Sequence, residues 1–210
     1  MARNFDALKI IIAKDYERHV AKFETLEKAN EILLLGDSMA AYFPTKAFHL
    51  EDKITNFGIP GDTTIGVLNR VKQTIKLKPN VVVLNIGLND FVLTELTQKE
   101  TLENILTIRH QILEGSPNTK IFIVSLTPIN QKGFPDQLYL LNRDPNDARQ
   151  LNETLRKVID PQFFINVHPF LTDEEGNLKL EWTRDGIHLN QAGYQIYFEK
   201  IQEKLDEQER

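Results

Sequence analysis

The 210-residue chain contains no cysteine. That excludes disulfides, a catalytic thiolate and zinc held by thiolates. It also lacks an excess of positive charge: the formal net charge is -5, with no basic cluster. Nucleic acid is therefore not an expected partner. No run approaches the ~18 apolar residues needed to cross a bilayer, so stable membrane insertion is not expected. The first residues, Met1-Ala2-Arg3-Asn4-Phe5-Asp6, do not read as a signal peptide. The apolar stretch Leu8 to Ala13 is broken by Lys9 and followed by Lys14-Asp15-Tyr16-Glu17-Arg18. The expected location is cytoplasmic. Internal repeats and low-complexity segments are absent as well.

What remains is ordinary soluble composition, 41% hydrophobic and 26% charged, in a chain long enough to bury a full core. Two regions are predicted. Residues 1–30 read as a long amphipathic helix with apolar residues at Phe5, Leu8, Ile11, Ile12, Tyr16, Val20, Phe23 and Leu26, ending near Asn30. It either packs on the domain or extends from it to form a homodimer. Residues 31–210 form the main domain. There, short continuous apolar runs at Ile32–Leu35, Val81–Leu84 and Ile121–Val124, with a weaker one at Phe163–Ile165, suit strands buried on both faces, and Ile54–Phe57 reads as another short strand. Helical stretches separate them at Thr64–Leu77, Gln98–Leu113, Asn146–Val158 and Gln191–Leu205. Strands alternating with helices predict an α/β fold, a three-layer α/β/α sandwich around a five-stranded parallel sheet in flavodoxin-like order. Thr97 with Glu100 spells a capping box, and Asn190 is a plausible N-cap. Gln131 to Pro145 is the longest irregular stretch and follows a strand, which makes it a candidate substrate-facing flap.

Four turns carry residues capable of chemistry. Ser38 follows Leu35-Gly36-Asp37 at the end of the first buried run, where its hydroxyl is delivered to the sheet edge at a helix start. Gly-Asp-Ser is also a common turn, and the G-x-S-x-G elbow is absent. Asn56-Phe57-Gly58-Ile59-Pro60-Gly61-Asp62-Thr63 places two glycines between a strand and a helix. This turn can present a backbone N–H to a ligand or merely cap the helix through Asp62 or Thr63, and it matches neither dinucleotide nor Walker patterns. Asn89, in Gly87-Leu88-Asn89-Asp90, can offer its amide to an oxyanion or serve only as a turn residue. Asp185-Gly186-Ile187-His188 spaces a carboxylate to meet an imidazole Nδ1 while Nε2 faces outward. His19, His49, His110 and His168 lack such a partner and read as structural or solvated. No cluster has convincing metal-ligand spacing.

Taken in order, these four blocks resemble the SGNH-hydrolase superfamily, the GDSL-type esterases and lipases, over about residues 31–201. The wording Asn56-Phe57-Gly58-Ile59-x-Gly61-Asp62 resembles the branch that includes the platelet-activating-factor acetylhydrolases. The resemblance implies a serine nucleophile, Ser38, with His188 as base and Asp185 as its orienter. It implies an oxyanion hole made by the Ser38 and Gly61 backbone N–H groups and the Asn89 amide, and it implies no cofactor or metal. The expected partner is a small-molecule ester with a short acyl group such as acetyl. Competing readings are a carbohydrate deacetylase or acyl thioesterase of the same fold, and a non-catalytic flavodoxin-like domain binding a phosphate at the Ser38 and Gly61 turns. Trp182, just ahead of Asp185, reads equally as a pocket wall or a packing aromatic.

Overall fold

The computed structural model describes residues 2–208, and their side chains from residue 7 onward. The side chain of Phe5, placed on the apolar stripe above, lies outside the described residues. The chain begins with α1 (Ala2–Glu24), then β1 (Ile32–Gly36), the single turn α2 (Ser38–Ala41), β2 (Ile54–Gly58), α3 (Thr64–Leu77) and β3 (Val81–Asn85). There follow α4 (Asp90–Leu93), α5 (Gln98–Gly115), β4 (Lys120–Val124), α6 (Pro145–Val158), β5 (Phe164–Ile165), α7 (His168–Leu171) and α8 (Gln191–Glu207). The strands form one five-stranded parallel sheet in the order β2-β1-β3-β4-β5, the flavodoxin-like order. The chain divides into two compact units, residues 1–121 and 122–210.

In the first unit, β1 is buried along its whole length. Its register sets Gly36 opposite Gly58 on β2 and opposite Asn85 on β3. Three strand ends are therefore level, and the turns they feed leave from one sheet edge. Leu33, Leu35, Phe57, Val82 and Leu84 are fully buried around them, which explains why these runs are continuous rather than alternating. Ile105, Ile108 and Ile112, at i, i+3 and i+7, face inward from α5. The capping box at Thr97 and Glu100 forms as predicted.

One boundary differs from its expectation. α1 ends at Glu24, not near Asn30. The backbone N–H groups of Thr25 and Leu26 bond to the carbonyls of Lys22 and Phe23, three residues back, and the Thr25 hydroxyl donates to Lys22 O at 2.8 Å. This tightened last turn stops the helix. α1 lies against α3. Phe23 stacks on Phe57 with centroids 4.0 Å apart, the Tyr16 hydroxyl donates to Gly66 O at 2.8 Å, and Gln73 Nε2 donates to Val20 O at 3.3 Å.

In the second unit, Leu151, Leu155, Leu171, Leu178, Tyr194 and Ile201 form the core. Asn190 caps α8, accepting from Gly193 N. β5 has only two residues, because Asp160 and Pro161 impose a 3₁₀ turn immediately before it. Among the described residues, no helix is long and apolar enough to cross a membrane.

Candidate active site

Ser38 opens the one-turn helix α2. Asp37 is its N-cap, with Oδ1 accepting from Met39 N at 2.9 Å. The other end is held by Asn56, whose Nδ2 donates to Ala40 O at 2.6 Å while its Oδ1 accepts from Gly58 N at 3.0 Å. Ser38 is half-buried, between the buried Asp37 and Met39. In the second turn, Thr63 rather than Asp62 caps α3, accepting from Gly66 N. Asp62 has another task. Arg70, on α3, donates to Asp62 Oδ2 from both Nε and Nη2, at 2.9 and 2.8 Å. The same guanidinium reaches Phe57 O at 2.9 Å and Gly36 O at 3.1 Å. Arg70 is 2% exposed, so one buried fork ties the ends of β1 and β2 to the turn carrying Gly61.

The third turn joins this cluster through Asn89, which is buried. Its Nδ2 donates to Asp62 O at 3.0 Å and lies 3.5 Å from Asp37 Oδ2. Asn89 therefore links the Gly61 turn to the Ser38 turn. Asp90, next along, is fully buried. Both carboxylate oxygens accept from Thr64 N, at 3.1 and 3.0 Å, and Oδ1 accepts from the Thr64 hydroxyl. Burial pushes its carboxyl up to about 6, against the lowering effect of the Thr64 bonds. Ser38, Gly61 and Asn89 are thus brought to one edge by Asp37, Asp62, Arg70 and Asp90. Of these, Arg70 and Asp90 carry no role in the sequence reading. Arg70 had a visible signal: it falls on the same face as Val67, Val71 and Thr74, all buried, and a charge on an apolar stripe demands a buried partner.

The second unit holds the other group. His188 Nδ1 lies 2.8 Å from Asp185 Oδ2. The opposite carboxylate oxygen accepts from His188 N at 2.8 Å and Ile187 N at 3.2 Å. Burial works against the Asp185 charge, but the bonds from His188 and Ile187 outweigh it and hold the carboxyl down at about 2. An ionised Asp185 makes Nδ1 the protonated nitrogen and leaves Nε2 as the basic one. The loop is closed on itself: Thr183 Oγ1 donates to His188 O at 2.8 Å and accepts from Gly186 N at 2.9 Å. Gly186 has φ +85°, and a Cβ there would sit 2.5 Å from Asn130 O, so no larger residue fits.

Asn130 connects this loop to the irregular stretch 131–145. Its N–H donates to Gly186 O at 2.7 Å, and its Oδ1 accepts from Gly133 N at 2.9 Å. Gln131 Nε2 then staples the stretch by donating to Leu140 O and Arg143 O, at 3.1 and 2.7 Å. Tyr139, 45% exposed, sets its ring edge-on to His188 at 5.7 Å. Trp182 backs the loop, its carbonyl accepting from Asn190 N at 2.9 Å. His168 is structural: its Nδ1 lies 2.9 Å from Leu126 O and 3.2 Å from Asn152 Nδ2, and burial lowers its pKa. Among the described residues, no three His, Asp or Glu side chains gather as a metal site.

Comparison with known proteins gives a consistent picture. The model of the GDSL-like lipase/acylhydrolase family matches residues 34–196. A solved Streptococcus pneumonia protein, provisionally named a platelet activating factor, superposes with TM-score 0.85 at 26% identity, covering 98% of this chain and 99% of the other. Human platelet-activating factor acetylhydrolase IB subunit alpha2 is 29% identical over 80% of this chain and 72% of its own length. N-acylneuraminate cytidylyltransferase of Escherichia coli is 26% identical over 87% of this chain, which spans only 42% of that relative's length.

Proposed function

This chain belongs to the GDSL-like lipase/acylhydrolase family, and on that premise we propose that it is a serine esterase acting on short-chain carboxylic esters. The observation that carries the reading is the Asp185–His188 pair. A carboxylate held at about 2 and 2.8 Å from Nδ1 fixes the imidazole as a base through Nε2. In the proposed cycle, Nε2 takes the Ser38 proton as Oγ attacks the ester carbonyl. The carbonyl electrons move to oxygen, which accepts from Ser38 N, Gly61 N and Asn89 Nδ2. Collapse expels the alkoxide, which takes the proton from His188 and leaves an acyl group on Ser38. Water, deprotonated by the same nitrogen, attacks that acyl-enzyme and releases the acid. The Asp62 carbonyl holds one Asn89 amide hydrogen and fixes the amide plane; the other, whose contact with Asp37 Oδ2 is long at 3.5 Å, is the one offered to the oxyanion.

An acetyl-sized acyl group is supported by the acetylhydrolase relative. Carbohydrate deacetylation is the second reading, favoured by the match to an enzyme named for an acylated sugar acid. Ser38→Ala is expected to reduce hydrolysis of p-nitrophenyl acetate to background, and a fluorophosphonate should label Ser38 stoichiometrically in the unaltered chain. Retained hydrolysis in the variant would overturn the assignment. A panel of acyl-CoA thioesters, acetylated xylose and p-nitrophenyl esters ranks the substrate classes.

A further inference from the structure

The Gly61 turn has a second face. Beside it lies an open cavity of about 330 Å³, with α1 as one wall and the start of α3 and the end of α4 as the other. From α1, Lys9, Ile12 and Tyr16 line it, at i, i+3 and i+7; Gly61, Ile65 and Leu93 face them. Ile12 sits directly over Gly61, where an added Cβ would meet its side chain at 2.8 Å. Gly61 therefore both belongs to the proposed oxyanion hole and forms part of the cavity floor.

We propose that this cavity receives an apolar substituent of the ester and that α1 sets the length it can take. The proposal rests on the reading of Gly61 as an oxyanion donor. Three observations carry it. First, the two strongest polar groups of the walls are engaged. The Tyr16 hydroxyl donates to Gly66 O at 2.8 Å, and the Asp62 carboxylate accepts from Arg70. What the walls offer is chiefly the aliphatic groups of Ile12, Ile65 and Leu93, the ring of Tyr16 and the methylene stem of Lys9. Second, the volume is at the lower limit for ligand pockets, which suits a short to medium chain rather than a long lipid tail. Third, the α1 wall is fixed to α3 through Tyr16 and Gln73 and to β2 through the Phe23–Phe57 stack. A fixed wall discriminates by length instead of yielding.

Either side of the ester can supply the substituent, so the test has two arms: p-nitrophenyl esters from acetate to octanoate, and acetate esters of ethanol to octanol. For the full chain, kcat/KM is expected to rise roughly fourfold per methylene in one arm until the cavity is full. Ile12→Trp, which occupies the space, should lower the six-carbon to two-carbon ratio at least tenfold in that arm only. Leu93→Trp approaches from the opposite wall and should shift the same arm, which guards against a loosened α1 as the cause. Unchanged ratios in both arms for both variants would overturn the proposal, as would a shift with one variant alone. These outcomes are separable from the esterase reading. Residual hydrolysis by Ser38→Ala sinks that reading, whereas an inactive Ser38→Ala with unmoved length profiles sinks only the cavity.

Discussion

The two groups of candidate catalytic residues are held in place by opposite means. Asp185 and His188 are three residues apart, and the bonds that set their pairing come from the turn 183–188, which Asn130 N anchors from outside through Gly186 O. Ser38, Gly61 and Asn89 span 52 residues and meet only through partners distant in sequence, with a buried ion pair at the centre. The local group needs little beyond its own turn and is tuned for chemistry. The dispersed group depends on the interior of its unit, so its geometry and the stability of the fold are the same property. The contrast predicts that substitutions in the first group damage rate far more than folding, and that substitutions around the second damage both.

Asp185→Asn is the sharpest way to break that contrast. Asparagine keeps an acceptor for His188 N but favours the wrong imidazole tautomer, so kcat should fall about 10⁴-fold, while the urea midpoint at neutral pH falls by no more than the loss of the ionised carboxylate accounts for. A large loss of stability would show that the turn is not self-sufficient. Arg70→Met tests the other side. It leaves the Asp62 carboxylate buried without its partner and cuts the ties to Gly36 O and Phe57 O. The expected cost is about 3–5 kcal/mol of unfolding free energy, read from urea denaturation, and Arg70→Lys should not restore it because an ammonium cannot form the fork. Asn89→Ala lies between the two kinds. Losing one oxyanion donor is expected to lower kcat 10²–10³-fold, about 2.7–4 kcal/mol, and loss of the bond to Asp62 O should also lower the urea midpoint. A pure rate effect would place Asn89 with the local group.

The same contrast governs what could be read from the sequence. The Asp185–His188 pair was legible because its geometry is set by three intervening positions and a glycine. The strands were legible because burial on both faces writes continuous apolar runs such as Ile32–Leu35. The long-range ties were not. Nothing adjacent to Arg70 indicates that its guanidinium reaches Asp62, and only its position on the buried stripe of α3 hints at it. Asp90 reads as a turn residue beside Asn89, because its partner Thr64 lies 26 residues earlier. The end of α1 is not legible in the spacing, which continues to Leu26, whereas the helix is stopped by Thr25 bonding back to Lys22, a local competition that periodicity does not register.

The smallest expected effect is also a sign test, because the two units hold carboxylates displaced in opposite directions. Asp185 is lowered to about 2. Its contribution to stability is present above the ordinary carboxylate range and is lost as pH falls through about 2. Asp90 is raised to about 6 from 3.8. Between those values the unfolded chain has already released the proton that the folded chain still holds, so stability falls as pH rises from about 4 to 6 and then levels off. That displacement corresponds to roughly 3 kcal/mol. Asp90→Asn retains an acceptor for Thr64 N and removes the ionisation, so the urea midpoint of this variant relative to the unaltered chain should rise across pH 4–6 and be flat above it. Asp185→Asn should leave that window unchanged and instead narrow its difference from the unaltered chain between pH 4 and 2. If Asp90→Asn produced no relative change between pH 4 and 6, the Thr64 bonds would have to offset the cost of burying the charge completely. The dispersed cluster would then be as well matched to its ionised carboxylate as the Asp185 turn is.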